Sequence, residues 1–279
     1  MEANIFFRKL IIIALSLTLC FISVFITIES LEEGTFVKSD SPIAAVENKN
    51  HLDDANFSLP EAKASLVSTG YQTTKAFEQY QPRYAVANID SSNYGDRFST
   101  DVNGKVLDNQ PIAVLHETVG SATSAINTFR RSNSNDNHQS SYHALITLDG
   151  TIVYLVPADK RAYGAGNSVF KSLKGIETVQ TNPNLPASVN NFAYHISLET
   201  PPDGRKKSGD SYHSGYTDGQ YKSLAWLLAL SSIPDERITT HKEVDLSGHR
   251  FDPRSFNFDK FFDILHTYRQ PTLGKVLTN

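Results

Sequence analysis

Ile112-Ala113-Val114-Leu115-His116 is a run of four apolar residues that ends on an imidazole. It reads as a short buried strand that delivers a histidine to its end. Ser121 to Arg131 follows with the character of a helix, capped by Ser121 or Thr118. Tyr142 to Leu148 and Thr151 to Val156 are strand-like and are joined by Asp149-Gly150, a strong hairpin signal. Tyr163 to Asn191 is rich in glycine, proline and asparagine and reads as a long loop, a kind of segment that usually carries function.

Ala193 to Glu199 alternates. Tyr194, Ile196 and Leu198 would face a core, and His195, Ser197 and Glu199 would share the other face. Thr217-Asp218-Gly219-Gln220 fits a capping box opening a helix with Tyr221, Leu224, Ala225 and Leu228 at helical spacing. Arg237 to Thr240 reads as a strand delivering His241, and Phe258, Phe261, Phe262 and Leu265 form the stripe of a final helix. Strands interleaved with helices give an α/β fold, with a single mixed central sheet flanked by helices. No internal repeat is visible.

Working outward to the ends, the chain of 279 residues begins with a targeting segment. Arg8 and Lys9 precede an uncharged run from Leu10 to Ile28 that is long enough to span a bilayer, and Glu29, Glu32 and Glu33 follow it. Basic residues before the span and acids after it keep the N-terminus cytoplasmic and export the rest. The span's length and the lack of a small-x-small site favour an uncleaved anchor over a removed signal peptide. The expected organisation is a membrane-contacting segment at 1–30, a polar tether at 31–79 with a short helix near Leu59 to Leu66, a folded domain at 80–270 and a tail at 271–279. The body then lies in the cell envelope, on the periplasmic or extracellular face.

A formal net charge of -4 leaves no basic surplus for a nucleic-acid partner. Nine histidines stand against one cysteine, and that cysteine, Cys20, lies in the apolar run. A metal in the folded body would therefore be held by imidazole and carboxylate, without thiolate.

His116 and His241 each follow a short strand, where a ligand is rigid yet reachable. Asp252, biased towards extended backbone by Pro253, supplies a carboxylate nearby. Two imidazoles and one carboxylate leave zinc's fourth position open, as in a catalytic site. His249 competes with Asp252 as third ligand on spacing alone. Glu199 is the candidate general base. Arg250, charged at any working pH, is placed to polarise a carbonyl or hold an oxyanion, or else to pair with an acid such as Asp245.

These residues carry a resemblance over roughly half the chain. Val114-Leu115-His116-Glu117-Thr118, Ser141-Tyr142-His143-Ala144-Leu145-Ile146, Asp149-Gly150-Thr151-Ile152, Val156-Pro157 and Arg161-Ala162-Tyr163 follow one another in the order seen in the type-2 N-acetylmuramoyl-L-alanine amidases. Ile196-Ser197-Leu198-Glu199, Thr239-Thr240-His241 and Arg250-Phe251-Asp252-Pro253 are similar to that family's later motifs. The resemblance implies a Zn2+ site of His116, His241 and Asp252 at the strand ends. It also implies hydrolysis of the amide between N-acetylmuramic acid and L-alanine in peptidoglycan or muropeptides. Glu199 would move the proton, with Arg250 and Tyr142 stabilising the tetrahedral intermediate and His143 and His213 as lesser candidates for substrate contact. Ser197 and Arg254 replace usual glycines, and Arg250 a usual lysine. The alternative is a non-catalytic peptidoglycan-binding module of the same fold, which would have no need of the metal ligands.

Overall fold

The structure is a computed structural model that describes residues 70–206, 209 and 211–272. The apolar run Leu10 to Ile28, the short helix expected near Leu59 to Leu66, and all of the expected tail beyond Thr272 lie outside the described residues. Among the described residues, no helix is long and apolar enough to cross a membrane.

The elements, in chain order, are β1 (Tyr71–Thr73), α1 (Lys75–Gln79), β2 (Tyr84–Val86), β3 (Tyr94–Asp96), β4 (Ile112–Glu117), α2 (Ala122–Phe129), β5 (Ala144–Ile146), β6 (Ile152–Tyr154) and β7 (Lys160–Ala162). There follow β8 (Phe170–Ser172), β9 (Gly175–Glu177), β10 (Ala193–Leu198), α3 (Asp218–Ala229), β11 (Ile238–Thr240), α4 (His241–Val244), α5 (Phe258–Tyr268) and β12 (Arg269–Pro271). A six-stranded sheet runs in the order β11-β4-β10-β5-β6-β2. β11, β4, β10 and β5 are parallel, β6 is antiparallel to β5, and β2 is parallel to β6. The sheet is mixed and flanked by helices, as the sequence predicts.

One face of the sheet is covered by α3 and α5. Leu115, Ile146, Ile196 and Leu198 meet Leu224, Leu228, Phe261 and Leu265 there, all within 1% of full burial. The capping box at α3 ties that helix to the sheet. Thr217 accepts from the Gln220 N–H, and Gln220 Oε1 accepts from the Thr217 N–H. The same Gln220 amide donates to the carbonyls of Ile146 and Glu199. Gly150, at φ 82°, closes the β5–β6 turn against the Gly219 backbone, where a Cβ would come within 2.8 Å of the Gly219 carbonyl oxygen.

The opposite face carries two apolar patches with a polar group between them. Leu145 and Val153 pack under Ile126 and Phe129 of α2, and Ile112 and Val114 pack against Phe170, Val189 and Phe192. His116, His143 and His195 lie between, all fully buried. The alternation of β10 holds, and its polar face is buried as well, because α2 and the 163–191 segment close over it.

Two further differences concern segments without strong periodicity. The folded body begins before Tyr80: β1 pairs with β12, and Phe77 of α1 stacks on Trp226 at 5.3 Å. A three-residue strand and a five-residue helix are too short to show a period in sequence. The 163–191 segment holds the β8–β9 hairpin, pinned by Arg237 Nη1 to Glu177 Oε1 at 2.9 Å.

Candidate metal centre

β4 and β11 are neighbours in parallel register, with Thr240 opposite Leu115. His241 therefore follows its strand at the level of His116. Thr240 caps α4 by accepting from the Glu243 N–H, which fixes the first residue of that helix, His241. The backbone of the next residue, Lys242, donates to the Asp252 carbonyl at 3.0 Å and holds the 245–252 loop against the strand ends.

These contacts bring His116, His241 and Asp252 together. One ligand atom from each lies within 4.8 Å of the others. Asp252 Oδ1 is 3.1 Å from His241 Nδ1, and Oδ2 is 3.3 Å from His116 Nδ1. The second pair is close but poorly aligned, so His116 Nδ1 is buried without a hydrogen-bond partner. A tetrahedral zinc with bonds of about 2.0–2.1 Å has ligand-to-ligand edges of about 3.3 Å. The spacings, the orphaned nitrogen and the imidazole–carboxylate donor set all fit such an ion.

Burial lowers the His116 pKa to about 4, outweighing the nearby Asp252. The imidazole is thus neutral near pH 7, the form that ligates a metal. Burial on its own raises the Asp252 pKa, but the two imidazoles of His116 and His241 set against the carboxylate leave it well below the ordinary value. His249 is exposed, stands outside the cluster, and is held through its backbone N–H to Asp245.

Tyr142 lies beside the cluster, its ring 4.8 Å from that of His116 and edge-on to Phe129. Burial raises its pKa, with the Asp252 charge adding to the effect; the hydroxyl therefore keeps its proton and is a hydrogen-bond donor. Arg250 is exposed, and its charge lowers the pKa values of both His116 and Tyr142. It meets Asp245 through its backbone N–H.

Glu199 is the first residue beyond β10, buried and not in the cluster. Its Oε1 accepts from the Ala122 N–H at the start of α2 and from Arg205 at 2.8 Å, and its Oε2 accepts from the Leu148 N–H. An ionised carboxylate has about four lone-pair sites, so three donors leave about one free. This environment is more occupied than alternation alone suggests.

A third buried carboxylate, besides Asp252 and Glu199, escaped the sequence reading. Glu117 follows His116 in β4, so its side chain alternates to the other side of the strand. It accepts from Arg254, from His213 Nε2 at 3.1 Å, from the Tyr216 hydroxyl at 3.2 Å and from Thr200. Arg254 also donates to the Gly204 carbonyl at 2.9 Å. Two residues after Asp252, it ties the ligand loop to β4. Its presence in place of a small residue is the one sequence signal that points to this pairing. His213 and His143 are both built into the interior: His213 pairs with Glu117, and His143 Nε2 lies 3.1 Å from the Lys160 carbonyl. A polar cleft of about 530 Å³ opens between Tyr94, Arg161, Tyr163 and the 166–190 segment, and none of the six candidate site residues lines it.

The fold and this cluster together define a mixed-sheet α/β protein with a His-His-Asp constellation at the ends of adjacent parallel strands. The chain belongs to the N-acetylmuramoyl-L-alanine amidase family, whose pattern matches residues 109–255, more than half of its length. It is accordingly a peptidoglycan amidase, a hydrolase of an amide bond.

Among solved structures it is similar to a selenomethionine derivative of AmpD, with 23% identity, a TM-score of 0.42, and coverage of 64% of this chain and 94% of that one. It is similar also to the LysCS endolysin amidase of Clostridium intestinale, with 20% identity, a TM-score of 0.40, and coverage of 67% and 97%. The E. coli amidase AmiD, solved with the substrate anhydro-N-acetylmuramic acid-L-Ala-D-gamma-Glu-L-Lys, shares 17% identity at a TM-score of 0.43, with coverage of 62% and 65%. A search of curated proteins finds no match.

Proposed function

We propose that the protein is a zinc-dependent N-acetylmuramoyl-L-alanine amidase that cleaves the bond between N-acetylmuramic acid and L-alanine. In this reading His116, His241 and Asp252 hold the metal. The observation that carries it is the Asp252 carboxylate set between two imidazole Nδ1 atoms at 3.1 and 3.3 Å. When bound, zinc lowers the pKa of its water to about 7 and polarises the scissile carbonyl.

The remaining work falls to the chain itself. Glu199 takes a proton from the attacking water on its free lone pair and returns it to the leaving amine. Arg250 supplies positive charge, and Tyr142 a hydroxyl donor, to the oxygen on which negative charge develops. Arg205 and the two backbone donors keep the Glu199 carboxylate oriented between turnovers.

The test is to digest purified peptidoglycan with the protein and identify the new ends by mass spectrometry, alongside metal analysis of the wild type and of Asp252→Ala. Free L-alanine amino ends, one zinc per wild-type chain, and loss of both in Asp252→Ala are expected. A binding module of the same fold would retain peptidoglycan affinity and release no ends. Full zinc occupancy in Asp252→Ala, with loss in His249→Ala, would move the third ligand to His249.

A further inference from the structure

We propose that His195 is a positioning residue that sets the tautomer and ring orientation of His116 for metal binding. The inference rests on the zinc reading above and assigns a role to a residue outside the three ligands.

The argument starts from proton counting. A neutral imidazole that offers its Nδ1 lone pair to a metal carries its single proton on Nε2, and that N–H needs an acceptor. His116 Nδ1 faces Asp252, and His116 Nε2 lies 2.9 Å from His195 Nδ1. Both rings are fully buried, so water is not an alternative partner. His195 must then present a bare Nδ1 and carry its own proton on Nε2. That nitrogen is buried and unpartnered, a donor left unmet. The opposite tautomer would aim an N–H from His195 at His116 Nε2. The proton of His116 would then sit on Nδ1, facing Asp252, and block the position a metal needs.

His195 is held firmly in the place where its Nδ1 meets His116. Its backbone N–H donates to His143 Nδ1 at 2.9 Å, and its carbonyl accepts from the His143 N–H at 2.9 Å. With Nδ1 of His143 accepting, the proton of that ring lies on Nε2, which reaches the Lys160 carbonyl at 3.1 Å. From the other side the backbone presses on the ring at Gly164, where a Cβ would come within 2.4 Å of His195 Cγ and Nδ1. Only glycine leaves the imidazole where it is. The result is a file of three histidines from the interior to the ligand: His143 holds the backbone of His195, and the His195 ring meets His116.

Partners that orient metal-ligating histidines typically contribute about 10–100-fold in metal affinity. The experiment titrates the metal-free full-length protein with zinc, in the wild type and in three variants. His195→Leu fills the space without an acceptor, His195→Asn restores an acceptor oxygen at the Nδ1 position, and Gly164→Ala drives a methyl into the ring. Zinc affinity should fall about 10–100-fold in His195→Leu and in Gly164→Ala, and His195→Asn should recover most of it. Far-UV circular dichroism and the melting curve of the metal-free forms verify folding.

In the zinc-loaded wild type, imidazole nitrogen-15 shifts should show His195 protonated on Nε2. A folded His195→Leu or Gly164→Ala protein that binds zinc as tightly as wild type overturns the inference, as does a His195 proton on Nδ1. A wild type that binds no zinc overturns the metal reading itself, a result distinguishable from either.

Discussion

Ile196 and Leu198 of β10 point into packed Leu224, Leu228 and Phe261, whereas His195, Ser197 and Glu199 point the other way among histidines and backbone donors. The two faces are equally dry but obey different rules. On the helix-covered face, stability scales with apolar area and shape, and a side chain of similar volume can stand in for another. On the histidine face, each polar atom needs a particular partner, and an unmet one is costly. His116 Nδ1 is buried there without a partner, the condition expected of an atom arranged for a metal. The comparison teaches that function here is built into the interior layer of the sheet and extends beyond its rim.

Conservative change should therefore do the most harm on the histidine face. Glu199→Gln alters one heavy atom, yet turnover of muropeptides should fall about 10²–10⁴-fold as the proton acceptor is lost, with zinc content unchanged. The variant should also melt at a lower temperature, because its amide nitrogen must face Arg205 and the Ala122 N–H or the Leu148 N–H. Near-normal turnover in a zinc-loaded Glu199→Gln protein would remove Glu199 from the chemistry and break the contrast at its functional end.

Phe261→Ala probes the other face. It removes a fully buried ring from α5 and should lower stability by about 3–5 kcal/mol, measured by urea denaturation. Below its melting range the variant should bind zinc normally. A parallel loss of zinc affinity would show that the two faces are mechanically coupled through β4 and β10.

The smallest effect concerns acid. Burial lowers the His143 pKa to about 3, with the Arg97 charge acting in the same direction. The unfolded chain, with an ordinary histidine pKa near 6.5, binds the proton first as pH falls. The contribution of His143 is therefore fully present above about pH 6.5 and declines as pH drops towards 3, by about 1.4 kcal/mol per pH unit at most. In His143→Gln, the pH slope of the folding free energy should be shallower by up to one proton over that window. An unchanged slope would mean that the histidine face is not acid-sensitive at this position.

Much of this is legible in the amino-acid sequence. The alternation in β10, the Thr217–Gln220 capping box, the Asp149-Gly150 turn and the aromatic stripe of α5 were all visible, because each depends on residues a few positions apart. The order of motifs from Val114 to Pro253 pointed to the family, and strand ends pointed to His116 and His241. What the sequence by itself determined is thus local: which segments are strands or helices, which side chains share a face, and which residue types are present to bind a metal. Spacing left Asp252 level with His249 and the resemblance favoured Asp252; tertiary structure brings Asp252 to the two imidazoles, and it alone decided that His195 touches His116 across 79 residues. It also paired Glu117 with Arg254 across 137 residues and occupied the Glu199 carboxylate with three donors. The reason is physical: the partner of a buried polar atom is set by how strands and loops pack in space, and separation along the chain carries no record of it.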